Sequence, residues 1–109
     1  MIEVSHYISR TGKDVFDAWI SQLRDARAQA KVAVRVNRLA AGNFGDCKFL
    51  RQGVHELRID WGSGYRVYYA LLSRGHVLLL CGGDKRRQSL DIDRAIGCCK
   101  DYEKGTRTQ

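Results

Sequence analysis

Glu56, Arg58, Arg66 and Lys85 are the residue types that phosphodiester cleavage without a metal requires. Such a cleavage needs a base for the nucleophile, an acid for the leaving oxygen, and cations for charge developing on the phosphoryl oxygens. In RNA the nucleophile is built in, because the 2′-hydroxyl lies beside the scissile phosphate. Clustered guanidiniums favour the ionised form of a nearby carboxylate and disfavour a nearby ammonium. In such a cluster Glu56 stays charged and Lys85 releases its proton more readily. The same residues also make an ordinary cross-strand salt network on a solvated sheet face.

The element that must position them is Val54–Ala70, V-H-E-L-R-I-D-W-G-S-G-Y-R-V-Y-Y-A. Two alternating runs flank the turn Trp61-Gly62-Ser63-Gly64, a β-hairpin pattern. Strand side chains alternate between faces, so Leu57 and Ile59 share one face with Tyr65, Val67 and Tyr69 of the second strand. The opposite face gathers Glu56, Arg58, Arg66 and Tyr68. His55 falls on the apolar face, where a structural role outweighs a catalytic one.

The chain has 109 residues, enough for a single domain with one core, with residues about 105–109 expected as a frayed tail. Lysine and arginine number 19 against 12 acidic residues, a formal charge of +7, and arginine supplies 13 of those cations. That balance favours a polyanionic partner, and arginine's fork suits phosphate. The first residues are too polar for a signal segment and no apolar run spans a membrane, so a cytoplasmic protein without membrane association is expected. Cys47, Cys81, Cys98 and Cys99 form no metal-ligand spacing with His6, His55 and His76, which reads as reduced, structural thiols. No metal or other cofactor is expected.

Around the hairpin, Glu3–Ser9 reads as a strand, and Thr11-x-x-Asp14 as a capping box opening a helix with Val15, Phe16, Trp19, Ile20 and Leu23 on its apolar stripe. Asp25 caps a second helix, Ala26–Ala41, with an inward stripe of Val32, Ala33, Val36, Leu39 and Ala40 and a basic stripe of Arg27, Lys31, Arg35 and Arg38. Cys47–Leu50 is a short strand. His76–Cys81, apolar through its middle, is a strand internal to the sheet. Gly82–Gln88 reads as a glycine-led basic loop, in which the Gly82-Gly83 pair is only a weak phosphate-binding signal. A last helix starts at Ser89 or Asp91 and reaches about Tyr102. The order β-α-α-β-β-β-β-α predicts an α+β fold, an antiparallel sheet with the helices on one face and the other partly open.

G-N-F-G-D at 42–46, G-V-H-E-L-R-I-D at 53–60, G-Y-R-V-Y-Y-A at 64–70 and L-L-L-C-G-G-D-K at 78–85 together resemble addiction-module killer proteins of the RelE/ParE toxin superfamily, close to its HigB-like branch. The resemblance runs over nearly the whole chain. It implies a RelE-like fold, a twisted antiparallel sheet with helices on one side, and a toxin of a type II toxin–antitoxin pair. It also implies messenger RNA cleavage, usually on the ribosome, and a cognate antitoxin, often of helix-turn-helix type. By this resemblance Arg66 is the firmest site residue, Glu56 and Arg58 match the branch's E-L-R, and Lys85 follows the last strand where relatives place active-site groups. In that scheme Glu56 is the base, Arg58 and Arg66 stabilise the phosphorane-like transition state, and Lys85 is acid or phosphate clamp, with Tyr102 the other candidate acid. Lys48, Arg51, Tyr68, Arg86, Arg87 and Gln88 would contact RNA. Two other readings stand beside it: a ParE-like toxin that inhibits DNA gyrase by binding, and a non-toxic module that binds nucleic acid or an antitoxin.

Overall fold

Two aspartates start the first two helices of the protein, seen in a computed structural model that describes residues 1–107. Helix α1 is Val15–Ser21 and α2 is Ala26–Ala40. Each cap carboxylate takes an amide that the first turn leaves unpaired: Asp14 accepts from Asp17 N–H and Asp25 from Arg27 N–H, both at 2.9 Å. The expected capping box at Thr11 does not form. The Thr11 hydroxyl bonds Ser9 Oγ instead, within a turn closed by Ser9 and Lys13.

The strands are β1 (Glu3–His6), β2 (Cys47–Arg51), β3 (Val54–Ile59), β4 (Tyr65–Ser73) and β5 (His76–Asp84). They form one five-stranded sheet in the order β1-β5-β4-β3-β2. The apolar strand β5 is internal, as its composition requires. It runs antiparallel to β4 but parallel to β1, so the sheet is mixed where an antiparallel one was expected. β1 ends at His6, short of Ser9.

β5 also runs further than expected, through the glycine pair to Asp84, and the reason is packing. Its register against β4 jumps from Tyr68↔Cys81 to Tyr69↔Leu79, leaving Leu80 as a bulge that shifts the alternation downstream. Gly82 then faces the ring of Trp19 in α1, and Gly83 faces the carboxylate of Asp91; a Cβ at either position would collide with that neighbour. These glycines admit neighbours on both sides of a strand. They do not form a loop.

A short 3-10 turn, Lys85–Arg87, leads directly into α3, Gln88–Arg107. The helix starts earlier and runs longer than its sequence pattern implies. Residues 105–107 are helical, and of the expected frayed tail 108–109 lie outside the described residues.

The position of α3 is the main departure. Helices α1 and α2 cover one face, packing Phe16, Val32 and Leu39 on Leu57, Ile59, Val67, Tyr69, Val77 and Leu79. Helix α3 covers the other, packing Ala95, Ile96 and Cys99 on Val54, Tyr68, Ala70, Leu78 and Leu80. The helices therefore do not share one face, because the sheet carries an apolar set on each side. Burying a side chain such as Leu57 or Leu78 contributes roughly 2 kcal/mol, so neither face can stay bare. Polar ties hold α3 down: Tyr7 donates to Asp101 at 2.6 Å, Arg10 to Asp101 at 2.9 Å and Arg51 to Asp93 at 2.9 Å. Among the described residues no helix is long and apolar enough to cross a membrane.

Candidate active site

The β3–β4 hairpin aligns Glu56 with Tyr68 and Arg58 with Arg66, so all four stand on the sheet face that α3 partly covers. Coverage divides them. Towards the turn, beyond the start of α3, Arg58 and Arg66 open onto a cleft of about 320 Å³. Lys85 joins them from the 3-10 turn, which is held to the hairpin loop by a bond from Lys85 N–H to the Gly64 carbonyl at 2.9 Å. Gly62 and Gly64 shape that loop at φ +58° and +84°, left-handed values that suit glycine. The cleft thus brings together residues from three elements.

The two arginines each have an acidic neighbour. Arg58 pairs with Asp46, Nη2 to Oδ1 at 3.0 Å, across the cleft rim. Arg66 is nearly buried, its side chain 14% exposed, with Nε 3.7 Å from Glu56 Oε2. That separation is too long for a hydrogen bond, and Nε has no hydrogen-bond partner among the described residues. Glu56, 1% exposed, accepts 2.7 Å from Gln88 Nε2 in the first turn of α3. A carboxylate this deep persists only because Gln88 and Arg66 compensate the lost water.

Tyr68 lies beneath the same turn, fully buried, and its hydroxyl finds no hydrogen-bond partner among the described residues. Burial pushes its phenol pKa up, and the Glu56 and Asp91 carboxylates push it further. Asp91, 7% exposed behind Gly83, has its own pKa raised by burial, against the pull of Arg87 and Arg94. A buried cluster of two carboxylates and a phenol thus lies under α3, and Arg66 both neighbours it and lines the cationic cleft.

Several expected residues fall elsewhere. Tyr68 cannot contact RNA in this arrangement, because α3 seals it, and Gln88 is occupied by Glu56. Glu56 does not open onto the cleft as a base would. Tyr102 packs near Ala70 and Leu72, at the opposite end of β4 from Arg66, so it is no candidate acid. Arg86 and Arg87 are exposed on the 3-10 turn, Arg86 paired with Asp84 at 3.0 Å, whose pKa that bond lowers. Lys48, in register with Glu56 on the edge strand, is exposed, and Arg51 is engaged with Asp93. His55 is on the other face, stacked on Tyr69 with centroids 5.2 Å apart.

Asp46, Asp60 and Arg35 were not anticipated. Asp46 and Asp60 line the cleft as carboxylates, and Arg35 fixes the loop before β2 by donating to the carbonyls of Phe44 and Arg58, each at 2.9 Å. Asp60 stands two residues after Arg58, so strand alternation places it on the Glu56 face, the signal the sequence carries for it. Nothing in the sequence pattern pointed to Asp46 or singled Arg35 out of its stripe. Among the described residues no His, Cys, Asp and Glu side chains cluster in a way that could hold a metal ion.

The sequence profile of the phage-derived Gp49-like proteins (DUF891) matches residues 18–97, which include Glu56, Arg58, Arg66 and Lys85. An uncharacterized protein of Haemophilus influenzae (strain ATCC 51907 / DSM 11121 / KW20 / Rd) is 52% identical over 80 residues, covering 73% of this chain and 81% of that protein.

Proposed function

Since the chain belongs to the Gp49-like family of phage-derived proteins (DUF891), a RelE/addiction-module toxin-like family, we propose that it is the toxin of a type II toxin–antitoxin pair, of HigB-like kind, and a metal-independent messenger RNA endoribonuclease. The observation that carries this reading is the convergence of Arg58, Arg66 and Lys85 on one cleft. A phosphate entering it meets guanidiniums preset in position, the arrangement that stabilises developing phosphoryl charge.

In the reaction, the 2′-oxygen bonds to phosphorus as the bond to the 5′-oxygen breaks, leaving a cyclic phosphate and a free 5′-hydroxyl. Asp60, the cleft carboxylate without an ion pair among the described residues, accepts the 2′-hydroxyl proton. Lys85 protonates the leaving oxygen. Glu56 is a positioning residue: buried and held by Gln88, it orients Arg66 and does not touch RNA. Arg86 and Arg87 guide the RNA backbone, and the ribosome presents the message in the cytoplasm.

One observation favours a second reading, a ParE-like protein that inhibits DNA gyrase by binding. Burial of Glu56 and Tyr68 removes from the cleft two groups able to move protons. Translating ribosomes programmed with a message, treated with purified protein in the presence of chelator, separate the two. Cleavage is expected, falling by roughly 100-fold or more in Arg66→Ala, with circular dichroism unchanged. Intact message together with poisoned gyrase would sink the nuclease reading.

A further inference from the structure

A second concavity of about 460 Å³ lies between α2 and the loop joining β3 to β4. Its floor is apolar, built from Val34 of α2 with Ile59 and Trp61 of the hairpin. Val34 is 45% exposed, an apolar residue left uncovered in the middle of a basic helix face. Its rim is mainly cationic, four basic side chains against one carboxylate, Asp60, at the end shared with the cleft. Arg27, Lys31 and Arg38 recur along α2 at i, i+4 and i+11, so the outer two are about 16 Å apart along the axis.

These cations differ in their commitments. Lys31 lies over the Trp61 ring, 5.0 Å from its centroid, which pins the indole as a wall and covers one of its faces. Arg35 is spent on backbone carbonyls. Arg27 and Arg38 make no ion pair among the described residues. An apolar floor between unpaired cations is complementary to a ligand with an apolar stripe flanked by carboxylates. The spacing over about three helical turns matches a rod lying along α2.

We infer that this groove docks an acidic amphipathic helix of a protein partner, with its apolar side chains on Val34 and Trp61 and its carboxylates on Arg27, Lys31 and Arg38. Single-stranded RNA fits less well. Bases bind by stacking, whereas the indole face here is taken by Lys31 and the groove centre is aliphatic. The inference stands whether or not the cleft cleaves RNA.

The test is selection of a displayed library of helix-forming peptides against the full chain. Enriched peptides are expected to be net negative, with apolar residues at i, i+3 or i+4, and i+7. Their affinity should fall by about tenfold or more in the double variant Arg27→Glu/Arg38→Glu and in Val34→Asp. Both changes are at exposed positions, and unchanged thermal melting checks the fold. Ribosome-dependent cleavage, if the wild type has it, should be unaffected by either. Enriched peptides that are not acidic, or that bind the variants as well as the wild type, would overturn the inference. So would a short single-stranded RNA that binds the wild type and loses affinity in the double variant while the peptides do not.

Discussion

Arg66 is where chemistry and burial meet. Its guanidinium borders the cleft, yet its Nε lies in the interior beside Glu56, so one residue couples the open site to the covered cluster. Removing the carboxylate would leave a nearly buried cation without compensation, so Glu56 shapes the cleft from behind Arg66 without opening onto it. His55 carries a prediction at the same scale. Burial lowers its pKa below the ordinary 6.5, so the folded protein takes up this proton later than the unfolded chain does. As pH falls below that value the unfolded state binds more protons, and the His55 contribution to stability declines. Urea unfolding at neutral pH and at about pH 5 should show a loss in the wild type that is smaller in His55→Phe, which keeps a ring on Tyr69. Equal losses in both would place the pH dependence elsewhere.

Among the elements, β5 is the hinge of the architecture. Its bulge at Leu80 resets the alternation so that successive glycines face α1 and α3. The pair looked like a loop because glycine is rare inside strands, and only the close approach of Trp19 and Asp91 explains it. Gly82→Ala should therefore cost about 1 to 3 kcal/mol by overpacking against Trp19. Gly75→Ala, in the turn before β5 where an added Cβ meets nothing within 4 Å, should change stability by no more than about 0.5 kcal/mol. Denaturant midpoints of the two variants compare them directly. The same reasoning explains α3. Tyr68, Ala70, Leu78 and Leu80 needed a cover, and the last helix provides it at the expense of the open face.

For the whole molecule, a charge of +7 makes attraction to a polyanion a general property rather than a local one. Its distribution carries more information than its size. Arg58, Arg66 and Lys85 lie in the cleft with Arg86 and Arg87 beside it, whereas Arg27, Lys31 and Arg38 line a second groove that adjoins the cleft at Ile59 and Asp60. If RNA uses the first set, the logarithm of its affinity should fall against the logarithm of salt with a slope of roughly −3. The double variant Arg86→Ala/Arg87→Ala should flatten that slope by about 1, while Arg27→Glu should leave it nearly unchanged. Fluorescence anisotropy with a labelled single-stranded RNA at several salt concentrations measures both.

The element types and most of their order were legible in the sequence because they follow from local rules. Period-two alternation marked β3 and β4 and assigned each residue its face, Asp25 marked the start of α2, and the apolar run at 77–81 marked an interior strand. Alternation says which residues share a face. It does not say what covers that face. Glu56, Arg58, Arg66 and Tyr68 were correctly put together, yet a long-range contact with α3 seals Glu56 and Tyr68 and leaves Arg58 and Arg66 at the cleft. Thus the sequence alone determined the membership of the charged face, and tertiary packing decided which members meet solvent, because burial depends on contacts between residues far apart in the chain.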